Sequence, residues 1–490
     1  MGKTQFQPVS QILALVSLAT LAFSPQSLAQ SQKTCDLSGT ISQILQRPEQ
    51  QQTQWGIAIQ DPQTDSFLFE HQVDTFFVPA SNQKLLTTAA ALTDLGADYQ
   101  FQTPISLVRH IHGEVRYLVI EGQGDPTLTT AKLRTALEEL KNQGITDVGE
   151  VIIIDSPPSA TLSPTWEWSD LPWYYATAVN QLILNENVVT ATVTPGAVGS
   201  RARVTWSDAI AARQWQLDHQ LFTTPEGANI PPEPRQTYGT NTLTLRGELA
   251  PDAPPRQWFL SIPNPGRYAL ETVQTILRSQ NITFKGGRVI DTDIQSLLPD
   301  PLNKESLLYK IEPLTAIASE PLAEILKTTN QDSNNLFAES LLKTLTTADR
   351  DPETILESIG VNPATYRLRD GSGLSRHNLV TPMALIQTLD GMLTHPQGEI
   401  YWNSLAIAGR TGTLQNRFQD TPVENHFFGK TGTMTHVSGL SGYLDLPDDS
   451  TLLVSILANQ TGQSARITRQ AIDDVVVAVH DWHSCSTTQP

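Results

Sequence analysis

The two cysteines of this chain lie near its opposite ends, at Cys35 and Cys485 of 490 residues. A disulfide between them requires the two ends of the fold to be neighbours in space, which constrains every arrangement of the segments in between. Disulfides are typical of exported proteins, and two cysteines, each near a terminus, favour one bond that ties the ends together. The alternative is a pair of free thiols on frayed ends. The first prediction is therefore a disulfide between Cys35 and Cys485.

The first 29 residues predict a secretory signal peptide. Lys3 provides a weakly positive start, residues 12–23 form an apolar run, and Ser27-Leu28-Ala29 supplies the small residues that signal peptidase requires. The apolar run is too short to span a bilayer as a folded anchor, and an uncleaved anchor is the alternative. We therefore expect removal of residues 1–29 and a mature protein, without a membrane span, in the periplasm or exported cell envelope.

The charge balance argues against several classes of partner. The chain carries a formal net charge of −18, and an acidic surface disfavours binding to nucleic acid and to anionic membranes. Its ten histidines show no pairing with carboxylates at metal-ligand spacing. We therefore predict no nucleic-acid partner, no metal site and no cofactor.

The secondary-structure patterns at the two ends of the chain fit one domain. Two strand-like runs and a helix come after the predicted signal, and three strand-like runs with a closing helix end the chain. In chain order these elements are the strands 55–60 and 66–71, the helix from Ser81, the strands 425–430, 437–446 and 451–458, and the helix 465–482. One sheet of two N-terminal and three C-terminal strands would bring Cys35 and Cys485 into the same neighbourhood.

The segment between these ends has a different pattern. A β-β-α-β order runs through residues 97–186, and alternating strands with proline-rich linkers continue through 187–309. We therefore predict a multi-domain α/β (α+β) protein. Its first domain is discontinuous, with residues 30–96 and 310–490, and it is interrupted by an α/β domain at 97–186 and a β-rich domain at 187–309.

Ser81 and Lys84 lie three positions apart, on one face of the predicted helix and near its start. A serine hydroxyl becomes nucleophilic when a base removes its proton, and a desolvated, neutral lysine can be that base. Unpaired N–H groups at a helix start also favour developing negative charge. Because the S-x-x-K pattern recurs by chance, its interpretation depends on motifs further along the chain.

Two more motifs occur in order. Ser333-Asn334-Asn335 lies between two predicted helices, and Lys430-Thr431-Gly432-Thr433 lies on a predicted strand. A second copy of the last pattern, Arg410-Thr411-Gly412-Thr413, has no strand after it, whereas Phe427-Phe428 and an alternating run flank Lys430. We therefore assign the third motif to Lys430. The three motifs together are specific, although each is weak alone.

In this order, S-x-x-K, S-x-N and K-T-G resemble the motifs of penicillin-binding proteins and class A β-lactamases. The resemblance is closest to the D-alanyl-D-alanine carboxypeptidase/endopeptidase branch, the low-molecular-mass class C penicillin-binding proteins, and it covers most of the mature chain. The string Asp370-Gly371-Ser372-Gly373-Leu374-Ser375-Arg376 is its most specific further feature, for which we expect a loop that shapes the catalytic domain. The resemblance implies a β-lactamase/transpeptidase-like catalytic domain, with an antiparallel five-stranded sheet and helices on both sides.

The same resemblance implies a serine peptidase and roles for the motif residues. Ser81 would attack the D-Ala-D-Ala bond of a peptidoglycan stem peptide and form an acyl-enzyme, with Lys84 as the base and Ser333 as a proton relay to the leaving amine. The substrate-binding residues would be Asn335, Lys430, Thr431, Gly432 and Thr433. The N–H groups of Ser81 and Thr433 would form the oxyanion hole. β-Lactam antibiotics would acylate the same serine.

The proposed base imposes a condition on its surroundings. The pKa of a free lysine is about 10.4, so the pKa of Lys84 has to fall before the amine can accept a proton at neutral pH. Burial and the positive charge of Lys430 are both expected to lower it.

Asp155 comes directly after the apolar strand Val151–Ile154. In the branch that the chain resembles, an aspartate of the inserted domain meets the free amino group of diaminopimelate. The position of Asp155 after a strand suggests it for that role. The alternative is an aspartate that caps a helix or a turn.

Two other functions stay open on the sequence alone. A β-lactamase uses the same motifs but needs a glutamate after S-x-N to hydrolyse its acyl-enzyme. The nearest candidate, Glu357, stands before Asn362 at a spacing one residue longer than that class uses. A catalytically silent penicillin-binding sensor of the same fold is the second alternative. The motifs also do not separate carboxypeptidase from endopeptidase activity, because both present the same bond to Ser81.

Overall fold

The computed structural model describes residues 35–155, 162–225, 230–299, 304–348 and 350–486. The predicted signal peptide, residues 1–29, lies outside them. Cys35 and Cys485 form a disulfide, as predicted from their positions. Across the described ranges, no helix combines the length and the hydropathy that crossing a bilayer requires.

The described part of the chain contains strands and helices in an irregular alternation. In chain order the strands are β1 Gln54–Asp61, β2 Ser66–His71, β3 Gln102–His110, β4 Val115–Glu121, β5 Asp147–Ile154, β6 Val188–Thr194, β7 Arg203–Trp206, β8 Gln216–Thr223, β9 Glu233–Gln236, β10 Thr242–Leu249, β11 Arg256–Ser261, β12 Thr283–Ile290, β13 Tyr309–Ala318, β14 Tyr366–Arg367, β15 Leu379–Val380, β16 Ala406–Ile407, β17 Phe427–Met434, β18 Val437–Asp445 and β19 Thr451–Asn459. The α-helices are α1 Leu37–Leu45, α2 Gln83–Leu95, α3 Thr130–Leu137, α4 Glu139–Asn142, α5 Ala209–Ala212, α6 Pro265–Ser279, α7 Leu322–Gln331, α8 Asn335–Thr347, α9 Pro352–Ser358, α10 Pro382–Thr394, α11 Gly398–Asn403 and α12 Ala465–Ser486.

The sheet that carries the third motif joins the two ends of the chain. Its strand order is β16-β17-β18-β19-β1-β2, and every neighbouring pair is antiparallel. β1 pairs directly with β19, so that Ile57 lies opposite Ile456. The two N-terminal and three C-terminal strands are those predicted, but the sheet has six strands and not five. The additional strand, β16, is only two residues long and carries no alternating pattern.

Helices cover both faces of this sheet. Because side chains alternate along a strand, Ala58 and Leu457 point to one face, where they pack with α2, α7, α8 and α10. Ile57 and Ile456 point to the other face and pack with α1 and α12. Helix α2 is buried from Gln83 to Leu92. A helix that is buried on all sides shows no amphipathic pattern in its sequence. The motif serine thus precedes a helix in the middle of the catalytic core.

A second sheet crosses the predicted domain boundaries. Its order is β12-β5-β4-β3-β13, with β12 parallel to β5 and β13 antiparallel to β3. β12 falls in the segment predicted as a separate β-rich domain, and β13 extends across the boundary predicted at residue 310. Local patterns identify a strand but not its partner, which explains the difference. Two three-stranded sheets, β8-β10-β9 and β11-β6-β7, lie within 187–309. The division of the chain into domains stays a prediction.

Candidate active site

Ser81 lies in the turn that leads into α2. Residues Ala80–Asn82 form a single 3₁₀ turn, and α2 continues directly from it. Ala80 has φ +46°, a left-handed conformation that a non-glycine residue adopts at some energetic cost and that is common where a site is preorganised. The half-buried Ser81 hydroxyl therefore stands at a helix start, where backbone N–H groups favour negative charge.

Lys84 is completely buried, and its amine has three partners. Nζ lies 2.9 Å from Ser81 Oγ, 2.7 Å from Asn335 Oδ1 and 2.8 Å from the carbonyl oxygen of Ser372. The amide and carbonyl oxygens are pure acceptors in these contacts. A neutral amine can donate its two hydrogens to them and direct its lone pair at the Ser81 hydroxyl. The partner set therefore suits a lysine that accepts a proton from Ser81.

The environment of Lys84 moves its pKa toward neutrality. Burial lowers the pKa to about 7, and the negative charges of Asp370 and Glu339 oppose that shift. A protonated amine without solvent contact is disfavoured, so burial dominates. The sequence predicted the burial but not the two carboxylates, because they come from α8 and from the loop after β14, far away in the chain.

The second motif projects two side chains toward Lys84 and Lys430. Asn334 caps α8, its side chain accepting a hydrogen bond from the N–H of Phe337, and Ser333 has φ +60° at the turn between α7 and α8. Asn335 is the first residue of α8. Its Oδ1 accepts from Lys84 and its Nδ2 donates to the carbonyl oxygen of Tyr175 at 2.7 Å.

The third motif lies on β17, next to the Ser81 turn. Lys430 is completely buried, and its Nζ donates to Ser333 Oγ at 2.8 Å and to the carbonyl oxygen of Thr431 at 3.0 Å. Burial, and then the charge of Lys84, hold the pKa of Lys430 well below its usual range. A Cβ on Gly432 would lie 2.5 Å from Asn82 Nδ2, so glycine permits this close approach. Thr433 is exposed at the end of the motif.

The second K/R-T-G-T copy also reaches this site. Lys430, not Arg410, is on the strand, as expected from the flanking residues. Thr413 of the other copy nevertheless forms a 2.8 Å hydrogen bond with Thr431, between the two Oγ1 atoms. This threonine was not among the predicted site residues. The sequence pointed to Thr413 only through the repeated K/R-T-G-T pattern, and the fold places the hydroxyl of Thr413 beside that of Thr431.

The string from Asp370 to Arg376 forms a loop between β14 and β15, against the Ser81 turn. Asp370 accepts from the N–H of Gly373 at 2.8 Å and from the N–H of Ser375 at 2.6 Å. Gly373 has φ +85°, and a Cβ there would overlap the carbonyl oxygen of Ala80. The glycine is therefore required twice, by its backbone angle and by the space available.

Residues 166–175 of the inserted segment also contact the catalytic elements. Tyr175 accepts from Asn335 through its carbonyl oxygen and donates from its hydroxyl to Asp170 Oδ1 at 3.1 Å. Trp166 Nε1 donates to Asp370 Oδ2 at 2.8 Å. Trp166 thus contacts the loop 370–376, whereas Tyr175 contacts a motif residue, and no local sequence pattern distinguishes the two.

The structure places Asp155 away from these contacts. It is completely buried and accepts from Asn180 Nδ2 at 2.7 Å and from the N–H groups of Gln181 and Leu182 at 2.7 and 3.0 Å. Burial raises its pKa, which these hydrogen bonds and the charge of Lys343 oppose. Asp155 therefore holds the turn at 180–182. Among the contacts of the described residues, none joins it to the Ser81 cluster.

Two further observations bear on the chemistry. Glu357, the nearest match to a deacylating glutamate, lies exposed near the end of α9. Within the part of the chain that the structure describes, no group of three or more His, Cys, Asp or Glu side chains could hold a metal ion. The acid–base groups of the site are thus two lysines, two serines and the carboxylates behind them.

The fold and the site together indicate a class of enzyme. An antiparallel sheet covered by helices, with a Ser–Lys pair at the start of its central helix, is typical of the transpeptidase-like serine enzymes. The solved structure of penicillin binding protein 4 (dacB) from Haemophilus influenzae has the same fold, with a TM-score of 0.77 and 23% identity over 90% of this chain and 98% of that one.

The chain belongs to the D-Ala-D-Ala carboxypeptidase 3 (S13) family, whose model matches residues 37–479. It is 31% identical to a D-alanyl-D-alanine carboxypeptidase of Actinomadura sp. (strain R39) over 96% of this chain and 90% of that protein. It is 26% identical to D-alanyl-D-alanine carboxypeptidase DacB of Haemophilus influenzae over 78% and 80% of the two chains. The resemblance inferred from the three motifs is confirmed, and the chain is a serine-type D-Ala-D-Ala carboxypeptidase by family.

Proposed function

We propose that this protein cleaves the D-Ala-D-Ala bond of peptidoglycan stem peptides through an acyl-enzyme on Ser81. One observation supports it most directly: the Ser81 hydroxyl lies 2.9 Å from the amine of a completely buried lysine. That distance is within reach for direct proton transfer, and burial keeps the lysine pKa near the working pH. The roles of the individual residues are part of the proposal.

The reaction begins with proton transfer from Ser81 to the neutral amine of Lys84. Ser81 Oγ attacks the carbonyl carbon, and the N–H groups of Ser81 and Thr433 stabilise the oxyanion. The Ser333 hydroxyl, which is hydrogen-bonded to Lys430, gives its proton to the leaving amine of D-alanine and receives in turn the proton that Lys84 took from Ser81, so that Lys84 becomes neutral again. Water then attacks the ester, Lys84 accepts a proton of that water, and it returns a proton to Ser81 Oγ as the acyl group leaves.

The terminal carboxylate of the substrate binds at Lys430, Thr431 and Thr433. Lys430 has a lowered pKa in the free enzyme, and an arriving carboxylate favours its ammonium form because opposite charges stabilise each other. Thr413 holds the Thr431 hydroxyl in place. Asn335 binds the peptide backbone of the substrate beside its contact with Lys84.

β-Lactams acylate the same serine, because their ring amide presents a carbonyl in the place of the scissile bond. The Haemophilus influenzae protein with the same fold has been solved as a complex with a β-lactam. We place the enzyme in the periplasm or exported cell envelope. The predicted signal peptide and the disulfide support that location, since disulfides persist in oxidising compartments.

Asp155 can bind the amino group of diaminopimelate only if the turn at 180–182 moves, because its side chain has no solvent-accessible surface. We therefore expect Asp155→Asn to lower thermal stability and to leave the preference for diaminopimelate-containing peptides unchanged. The measurement is the ratio of kcat/KM for peptides with and without the free amino group. A ratio that falls tenfold in a folded variant would restore the binding role.

The test of the proposed function is incubation with purified monomeric and cross-linked muropeptides, followed by mass analysis of the products. Loss of one terminal D-alanine identifies carboxypeptidase activity, and conversion of dimers to monomers identifies endopeptidase activity. Ser81→Ala should yield neither product. If the wild-type protein labels with penicillin but leaves all muropeptides intact, the enzyme proposal fails in favour of the sensor. Rapid hydrolysis of penicillin would favour the β-lactamase.

A further inference from the structure

Two carboxylates hold the loop that faces Lys84. Glu339 accepts from the N–H of Ser372 at 2.8 Å through Oε1 and from the N–H of Gly371 at 3.1 Å through Oε2. Asp370 accepts from the N–H groups of Gly373 and Ser375. The two carboxylates thus accept hydrogen bonds from four backbone N–H groups of one short segment. Together these hydrogen bonds fix the direction of the Ser372 carbonyl, which accepts from Lys84 Nζ at 2.8 Å.

Helix α8 supplies both a direct hydrogen-bond partner of Lys84 and one of the two carboxylates that hold the loop. Asn335 and Glu339 are four residues apart on α8 and therefore share one face of the helix. A Cβ on Gly371 would lie 2.5 Å from the carbonyl oxygen of Ala338, so the loop backbone is pressed against the same helix. The two acceptors that would take the hydrogens of a neutral Lys84 are therefore mechanically linked through α8.

We propose that Glu339 and Asp370 are positioning residues for Lys84: they fix the Ser372 carbonyl that accepts from its amine, and their charge sets the pH above which that amine accepts the proton of Ser81. The inference rests on the proposed role of Lys84 as the base. It adds two residues outside the three motifs to the machinery of the reaction.

The charges around Lys84 determine the direction of the effect. Asp370 and Glu339 raise its pKa against the larger effect of burial. Lys430 is the nearby cation, and its own pKa is lowered by burial first and then by the charge of Lys84. Burial raises the pKa of Glu339 to about 7, assisted by the charge of Asp370 and opposed by the hydroxyl and amide of Ser372. Removing a negative charge therefore lowers the pKa of Lys84. The amine then becomes neutral, and competent as a base, at a lower pH.

The experiment measures the second-order rate of acylation by a fluorescent penicillin between pH 5 and 9. Wild-type acylation should fall on the acid side with a midpoint near pH 7. Asp370→Asn should move that midpoint to lower pH by about 0.5–1 unit, and Glu339→Gln should move it in the same direction by less, because the Glu339 carboxyl is itself partly protonated near pH 7. Both variants should reduce the plateau rate. Glu339→Asp keeps the charge but shortens the side chain, so it should lower the plateau and leave the midpoint in place. Glu357→Gln, at an exposed glutamate of α9, is the control and should change neither.

A merely structural role gives a different result. If the folded charge-removing variants lose rate but keep the wild-type midpoint, the inference is wrong. Thermal unfolding identifies the folded variants. Should neither charge-removing variant fold, Ser372→Ala decides: loss of its hydroxyl raises the pKa of Glu339, which predicts a smaller shift in the same direction, and an unmoved midpoint overturns the inference.

Failure of this inference can be told apart from failure of the proposed function. Normal labelling of Ser81 in the wild type, with an unmoved midpoint in the variants, contradicts only the roles of Glu339 and Asp370. A wild-type protein that is not labelled at Ser81 contradicts the proposed function itself.

Discussion

Lys84 is the residue on which the chemistry depends, and its burial is unfavourable for stability. A protonated amine without water contact destabilises the folded state, and deprotonation relieves that cost. The amine is kept in place by hydrogen bonds with Asn335, Ser372 and Ser81 and by the charges behind them. The enzyme thus has a lysine that is easily deprotonated at the one position where a neutral amine is useful.

This burial predicts a dependence of stability on pH. The pKa of Lys84 is about 7 in the folded protein and near 10.5 when unfolded, so the unfolded chain binds the additional proton between these values. Stability rises with pH wherever the unfolded state binds more protons. The lysine therefore imposes its full cost below about pH 7 and loses it as the pH rises toward 10.5.

Lys84→Met should remove this dependence. Relative to the variant, the wild type should gain about 1.4 kcal/mol of unfolding free energy per pH unit above about pH 7. The measurement is urea unfolding of both proteins between pH 6 and 9. Lys310→Met, at an exposed lysine of β13, is the control and should show no such difference. A constant difference between wild type and Lys84→Met across this range would contradict the burial argument.

At the scale of elements, the site is a junction of four segments: the Ser81 turn, the start of α8, strand β17 and the loop 370–376. The loop and the turn approach so closely that only glycine fits at Gly373. Glycine at Gly432 similarly allows β17 to lie against Asn82. Precision at this junction comes from backbone contacts, which have no tolerance for an added methyl group.

Gly373→Ala should therefore disrupt the junction. The added Cβ would overlap the Ala80 carbonyl and force an unfavourable backbone angle, at a cost of about 2–3 kcal/mol and a loss of penicillin acylation of about 10²-fold or more. Thermal unfolding and acylation rates measure the two effects. Gly286→Ala on β12, where nothing lies within 4 Å, is the matched control and should change neither appreciably. An active, stable Gly373→Ala protein would show that the loop is not held as described.

The sequence predicted the elements of the site better than their surroundings. The three motifs lie on the elements that their patterns suggested: Ser81 at the start of a helix, Ser333 between two helices and Lys430 on a strand. Thr413, Tyr175 and Glu339 were missed because their roles arise from contacts between segments far apart in the chain. The pairing of β12 with β5 could not be predicted for the same reason, since a strand pattern identifies a strand but not its neighbour.

At the scale of the whole molecule, elements from the N-terminal and C-terminal parts of the described chain contact each other. β1 pairs with β19 from Gln54 to Gln60, and the disulfide joins Cys35 to Cys485. A cross-link that spans nearly the entire chain restricts the unfolded state strongly in the chain-entropy model. Segments near the two ends of the described part of the chain are thus joined by a sheet and by a covalent bond.

The double variant Cys35→Ser/Cys485→Ser should fold but lose about 2–4 kcal/mol of unfolding free energy. Urea unfolding without reductant measures the loss. Dithiothreitol should lower the stability of the wild type toward that of the variant and leave the variant unchanged. Equal stability of the oxidised wild type and the double variant would mean that the sheet alone holds the ends.

The central claim is that Ser81 is the nucleophile, and the most direct test is intact-mass analysis after exposure to penicillin, with the adduct located by peptide mapping. We predict one penicilloyl group per chain, on Ser81, none on Ser81→Ala, and normal labelling of Ser358→Ala at an exposed serine of α9. An adduct on another residue, or labelling that persists in Ser81→Ala, would contradict the account.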